Sequence, residues 1–146
     1  MFMKRIKYLF VLTLGVLLLS GCKSNYEPVT YSKFIEEFNN NSNYYVNDDT
    51  LKYENLFERY VTVSGKSTEF TFYEFKTEED AKEYVDKNYK DNDRYKYKSS
   101  NDYVIVKSTK DKYFYGILVD KIFVVGQTSN KSYKSDVNKI MKELGY

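Results

Sequence analysis

The sequence predicts an α+β domain: an antiparallel sheet of about six strands with three helices, in the order α-β-ββ-α-ββββ-α. Three observations carry this. Apolar residues recur at helical spacing at the front, middle and end of the chain after residue 29, and β-rich runs fill the intervals. The last four runs are joined by loops so short that they can only connect antiparallel neighbours.

Taken in order, Thr30 can cap a helix whose apolar face is Tyr31, Phe34, Ile35 and Phe38, and the polar run Asn39 to Asn43 ends it. Tyr44 to Val46 is a short strand. Asp48 to Phe57 is ambiguous, a turn of helix carrying Leu51 and Phe57. Arg59 to Ser64 and Thr68 to Phe75 are two strands around Gly65-Lys66, with Gly where a type II′ hairpin wants it. Thr77 caps the clearest helix: Glu78, Glu79 and Asp80 suit its positive end, and Ala81, Tyr84, Val85 and Asn88 or Tyr89 form one face. Beyond it lie four strands, Arg94 to Lys98, Tyr103 to Ser108, Tyr113 to Val119 and Ile122 to Gln127. A last helix puts Tyr133, Val137, Ile140, Met141 and Leu144 on one side, with Gly145 as its C-cap and Tyr146 folding back on Met141. The economical arrangement covers the sheet on one face.

Composition removes much of enzyme chemistry. The 146 residues contain no His and no Trp, so Ser-His-Asp and Cys-His catalysis, His-containing zinc sites and histidine pH switches are excluded. A single Cys excludes an intramolecular disulfide. Lys and Asn far outnumber Arg and Ala, which matches AT-rich codons, so the lysine excess does not point to phosphate recognition.

The first 22 residues differ from the rest. Lys4, Arg5 and Lys7 form a basic head, and Tyr8 to Leu19 is mostly apolar, about 18 Å as a helix and too short to span a bilayer core. The run ends in Leu19-Ser20-Gly21-Cys22, which resembles the lipobox of bacterial lipoproteins, an aliphatic residue and two small ones before a cysteine. The resemblance implies a signal peptide over 1–21, cleavage before Cys22 and a diacylglyceryl anchor, with acyl chains such as palmitate, on the Cys22 thiol. An ordinary secretory signal with a chance Cys, or an uncleaved anchor, is the alternative. That Cys22 is the sole cysteine, at the one position a lipobox needs, argues against it. Without residues 1–21 the net charge falls from +2 to near −1, since the head holds three cations and no acid. Such a chain has no net electrostatic drive toward nucleic acid or anionic lipid, so no nucleic-acid partner is expected. Residues 22–29, with the only proline at Pro28, form a lipidated tether, and 30–146 form a single domain. The lipobox, the Phe-rich first helix, Phe72-Tyr73-Glu74-Phe75-Lys76-Thr77-Glu78-Glu79-Asp80-Ala81 and the ending Lys142-Glu143-Leu144-Gly145-Tyr146 are together similar to small extracytoplasmic lipoproteins of Gram-positive bacteria. No activity comes with that likeness.

Candidate chemistry is sparse. Ser64-Gly65-Lys66-Ser67 has the end of a phosphate loop without its first glycine, position 60 being Tyr, and is a hairpin turn. Asp91, Asp93 and Asp102 resemble calcium ligands, yet Tyr95 stands where an oxygen ligand belongs; a solvated helix end explains them. Glu69 and Glu74 lie five apart, on opposite faces of a strand, and cannot form a facing carboxylate pair. Arg94-Tyr95-Lys96-Tyr97-Lys98 has the composition of a single-strand nucleic-acid platform but reads better as an edge strand with tyrosines inward. Tyr95 and Tyr97 share a face of their strand, as do Tyr113 and Tyr115 of theirs. If the two faces coincide, the four rings form an amphipathic binding patch; if the helices cover them, they are ordinary core, as Ile117 and Val119 on the Tyr113 face suggest. The expected function is therefore a lipid-anchored binding or interaction module on the outer face of the membrane. It needs no metal or cofactor, and its partner is an envelope protein or a small ligand. The alternative is an envelope enzyme using carboxylates and tyrosines.

Overall fold

The computed structural model describes residues 26–39, 41–110 and 112–146. Thr30 opens α1 (Tyr31–Asn39): its Oγ1 accepts from the Lys33 amide at 3.3 Å and its carbonyl from the Phe34 amide at 3.0 Å. β1 (Tyr45–Asp48) and a 3-10 turn (Thr50–Tyr53) lead into β2 (Phe57–Ser64) and β3 (Glu69–Phe75). The ambiguous stretch is thus that turn, with Leu51 exposed, while Phe57 belongs to a strand. Thr77 caps α2 (Glu78–Val85), accepting from the Asp80 amide at 3.1 Å while its hydroxyl donates to Asp80 Oδ2 at 2.7 Å. Then come β4 (Tyr95–Ser99), β5 (Tyr103–Ser108), β6 (Tyr113–Val119), β7 (Ile122–Thr128) and α3 (Lys134–Glu143). The element order is as expected, with a seven-stranded sheet of order β1-β2-β3-β7-β6-β5-β4, antiparallel at every pairing.

The sheet is covered on both faces, not on one. Phe34 and Phe38 of α1 join Val137 and Met141 of α3 over Val61, Val63, Phe70, Phe72, Ile117 and Val124. On the other face Ala81 and Val85 of α2 sit with Val104, Val106, Phe114, Leu118, Phe123 and Val125. The reason is visible in β6 and β7, whose runs are apolar at nearly every position rather than alternating, the pattern of strands buried on both sides. A one-residue bulge between Phe57 and Arg59 of β2 lets Phe57 join the α2 face although Val61 and Val63 point to the other.

Two terminal details fix the chain ends. Gly145 has φ 104°, and the Tyr146 amide donates to the Met141 carbonyl at 2.8 Å while the Gly145 amide donates to that of Lys142 at 3.0 Å, a complete Schellman cap. Tyr146 thereby places its hydroxyl to accept from the Val29 amide at 2.9 Å. Lys33 Nζ also donates to the Leu144 carbonyl at 3.0 Å. Val29 is buried, and Tyr26 packs edge-on against Tyr103 with ring centroids 5.0 Å apart. The expected 22–29 tether is therefore shorter: its Tyr26–Val29 part is docked on the domain.

The β2–β3 hairpin also differs from expectation. The Gly65 amide donates to the Thr68 carbonyl at 2.8 Å across Lys66-Ser67, and Gly65 does not have the positive φ of a type II′ turn. Glycine is needed there for space, because a Cβ would stand 2.7 Å from the Tyr44 ring and 2.8 Å from Thr68 Oγ1.

The docked segment makes a direct prediction. A chain beginning at Tyr26 melts in one cooperative transition, whereas one beginning at Thr30 loses the buried Val29 side chain and its amide's bond and is less stable by about 2 to 4 kcal/mol. Urea unfolding of the two fragments checks this; equal midpoints would show that Tyr26–Val29 adds nothing.

Candidate functional site

The four tyrosines that would form a patch if their strand faces coincided do not share a face. Tyr95 pairs with Ser108 and Tyr97 with Val106, so their rings lie on the α2 side with Phe114 and Leu118. Tyr115 pairs with Lys107 and packs on the opposite side with Ile117 and Val119, and Tyr113 shares that side. The parity of the β4–β5 register separates the pairs. Tyr115 is buried, with its hydroxyl pushed up to about 12 by burial and the neighbouring Tyr26; Tyr97 reaches about 12 through burial and the bond its hydroxyl donates to Asp86. Tyr113 donates to Asn138 of α3. Cys22, the expected lipid attachment point, lies outside the described residues.

Other motifs fall where their plainer readings put them. Ser64-Gly65-Lys66-Ser67 ends β2 and turns into the hairpin. Asp102 sits in the β4–β5 turn, while Asp91 and Asp93 precede β4 at the other end of that strand. Among the described residues no group of three His, Cys, Asp or Glu side chains converges on a metal position. Glu69 accepts from Gln127 Nε2 at 2.6 Å on the α2 side, and Glu74 pairs with Lys121 at 3.2 Å, so the two carboxylates are held apart as expected. Carboxyl groups meet at Glu58 and Glu74, which share Lys121, and at Glu37 of α1 and Glu143 of α3, where partial burial and the adjacent Glu143 raise the Glu37 pKa. Neither pair lines a cavity on the sheet.

α2 is short, and the π turn at its C-terminal end determines where the sheet stays open. That turn covers Asp86–Lys90, directly after Val85, and Asn88 Nδ2 donates to the Tyr84 carbonyl at 2.7 Å. Its wider radius brings Tyr89 rather than Asn88 onto the sheet, 5.0 Å from the Tyr95 ring and 5.4 Å from Phe114. The Tyr73, Tyr84 and Tyr89 hydroxyls are all pushed up by burial in this ring layer.

Beyond Tyr89 no helix among the described residues covers this side of the sheet. Register places Tyr95, Ser108, Phe114, Gln127, Glu69 and Ser64 in one row across six adjacent strands, all on the α2 side. Above the row's first half opens a cavity of about 570 Å³ lined by Arg94, Tyr95, Lys110, Lys112, Phe114 and Gln127. Lys112 and Gln127 also line an adjoining hollow of about 320 Å³ that runs past Glu69 to Ser64 and Gly65. The loop bearing Lys110 and Lys112 is tied to β4: Thr109 donates its amide to the Arg94 carbonyl at 2.9 Å and its hydroxyl to the Asp93 carbonyl at 3.2 Å. The Phe114 amide donates to Ser108 Oγ at 3.0 Å, and Thr128 Oγ1 to the Ser67 carbonyl at 2.6 Å, fixing the other walls. Among the described residues Arg94, Lys110 and Lys112 have no carboxylate within 4.0 Å, whereas Glu69 is already engaged by Gln127. The result is an elongated groove, aromatic and cationic at one end and hydroxyl- and amide-lined at the other.

Of these residues only Tyr95 belongs to the binding patch proposed on sequence grounds; Glu69 and Ser64-Gly65 are weighed there for other chemistry and set aside. Arg94 reads there as part of a blunted edge strand, and Lys110 and Lys112 lie in a loop without a motif. No protein-family model, curated protein or solved structure matches the chain.

The buried hydroxyls set an alkaline limit. Tyrosines ordinary near pH 10 when unfolded but held near 12 when folded bind their protons more tightly in the native state. The contribution of these tyrosines to stability is then constant below about pH 10 and falls between about pH 10 and 12, because only the unfolded chain releases those protons. Urea midpoints at about pH 8 and pH 11.5 test this, and equal midpoints would contradict it.

Proposed function

We propose that the chain is an extracytoplasmic lipoprotein, held at the outer face of the membrane through a lipid on Cys22 and acting as a binding module whose site is the groove on the α2 side. The observation that carries the binding part is the groove itself: two adjoining hollows that share Lys112 and Gln127 along one cross-strand row and bear three cations without carboxylate partners within 4.0 Å among the described residues. The anchoring part rests on the basic head, the short apolar run and Leu19-Ser20-Gly21-Cys22.

The docked N-terminal segment supports their combination. Four chain steps separate Cys22 from the packed Tyr26, a span of at most about 14 Å, so an anchor at Cys22 keeps the domain close to the bilayer. Tyr26 meets Tyr103 at the start of β5, and the groove lies at its end, beyond Ser108, about 17 Å along the strand and on the other face of the sheet. An attachment there leaves the groove directed away from the lipid. Two acyl chains give firm anchoring without help from surface charge, which the near-neutral mature chain does not supply.

Mass spectrometry of the membrane-extracted protein tests the anchor. The expected N-terminal peptide begins at Cys22 and carries the mass of a diacylglyceryl group, and Cys22→Ala leaves the precursor uncut. An unmodified N-terminus elsewhere would refute the anchoring reading.

A further inference from the structure

We infer that the groove binds an acidic oligosaccharide, a chain of sugar rings bearing carboxylate or phosphate groups; this deepens the binding-module reading and rests on it. Length is the first argument. The floor crosses six strands at about 4.8 Å each, a repeat close to one pyranose unit, so the occupant is an elongated chain of several units rather than a single small ion. Chemistry of the floor is the second. The half-buried Tyr95, seated on the buried Phe114, offers aromatic surface to the C–H face of a ring, while Gln127 and the hydroxyl groups after it suit ring hydroxyls. Charge is the third. Arg94, Lys110 and Lys112 all line the cavity at the aromatic end, none has a carboxylate within 4.0 Å among the described residues, and a cation in a groove without an ion-pair partner is complementary to an anionic group on the occupant. A neutral glycan would leave the three cations unanswered, and a free anion would leave most of the groove empty.

The position of the cations makes the site specific about polarity. Arg94 and Lys110 lie at the β4–β6 end, Lys112 stands between the two hollows and Glu69 lies at the β3 end, so the acidic unit belongs over Tyr95 and Phe114 and a neutral or amide-bearing unit over Glu69 and Ser64. An occupant of uniform, dense charge, such as a nucleic acid, would bring phosphates against Glu69.

The test uses the full chain in detergent, with tyrosine fluorescence as readout since the protein has no tryptophan. Four probes are titrated at one ionic strength: a maltooligosaccharide with a single glucuronate at its non-reducing end, the unmodified maltooligosaccharide of equal length, inorganic phosphate and an oligothymidylate. The glucuronate-capped oligosaccharide is expected to bind, at least tenfold more tightly than the other three. The double variant Lys110→Gln with Lys112→Gln, both side chains exposed, is expected to keep the wild-type melting midpoint and weaken that binding about tenfold. Amide shifts on binding should map to Arg94–Tyr95, Ser108–Lys110, Lys112 and Gln127. Equal binding of the neutral and acidic sugars, phosphate binding as tightly as the oligomer, tighter binding of the oligothymidylate, or no effect of the double variant overturns the inference. Silence toward all four probes overturns it as well, while a lipidated Cys22 in the same preparation leaves the anchoring reading standing; a binding groove on a chain without lipid does the reverse.

Discussion

β3 and β7 are far apart in the chain, yet six register pairs from Glu69↔Gln127 to Glu74↔Ile122 bind them side by side. Without that contact the sheet is two separate meanders, β1-β2-β3 and β4-β5-β6-β7, each too small to bury both its faces. Both helical layers depend on it. α1 packs over β2 and β3 through Phe34 and Phe38, and α3 over β6 and β7 through Val137 and Met141, so the core on that side becomes continuous only once β3 meets β7. The cost is chain entropy: α2 and three strands must be looped out before the pairing can form, which makes it the long-range step of folding. Phe70, Phe72, Val124 and Val125, all buried, offset that closure with apolar area on both faces.

The two faces are covered by different means. On one, the ends of the chain are laced together: the Schellman turn at Gly145 sets Tyr146, Tyr146 holds Val29, and Lys33 reaches back to Leu144. On the other a single short helix suffices because the sheet beneath it carries large rings. Phe57, Tyr73, Phe75 and Tyr84 pack with centroids 5.0 to 6.3 Å apart, and Tyr89, Tyr95 and Phe114 form a second group 5.0 to 5.4 Å apart. The π turn joins the helix to the second ring group. Had the helix stayed α through this turn, Asn88 would have faced the sheet and Tyr89 would have been lost to the ring layer.

Much of this is legible in the chain, and the parts that are not have a common cause. Periodicity marks the three helices, and local chemistry marks their ends: Thr30, Thr77 and Gly145 act within one turn of themselves, so nothing distant can override them. Strand positions emerge from alternation and turn residues. The features that escape need counting across strands. Ser99 pairs with Val104, so β4 and β5 join with odd parity, and one residue more or fewer in that turn would have put Tyr95 over Tyr115 rather than on the opposite face. Gly65 reads locally as a choice of backbone conformation, whereas its cause is a neighbouring ring, Tyr44, which no local rule can see. The groove is hidden for the same reason: Arg94 and Lys112 become neighbours only because Thr109 ties one loop to the start of another strand.

The tyrosine content then has a structural reason that composition alone does not supply. Of 17 tyrosines, 16 come after Cys22, and a core built from so many hydroxyls risks leaving polar atoms unpaired. Among the described residues no buried side-chain N or O lacks a partner. Position explains it. The rings lie near the margins of the helical layers, where Tyr97 reaches Asp86, Tyr113 reaches Asn138 and Tyr84 reaches Tyr73. A phenylalanine would bury the same ring, but only a tyrosine can be apolar toward the sheet and polar toward the rim. At Tyr95 this division meets the edge of the α2 layer: one side of the ring packs on Tyr89 and Phe114, and another forms the wall of the groove. The groove therefore begins where the ring layer ends, with a floor already rigid because it is the margin of the core. Binding there requires little ordering of its aromatic end, and the entropy left to be lost belongs to the exposed Lys110 and Lys112 side chains and to the occupant itself.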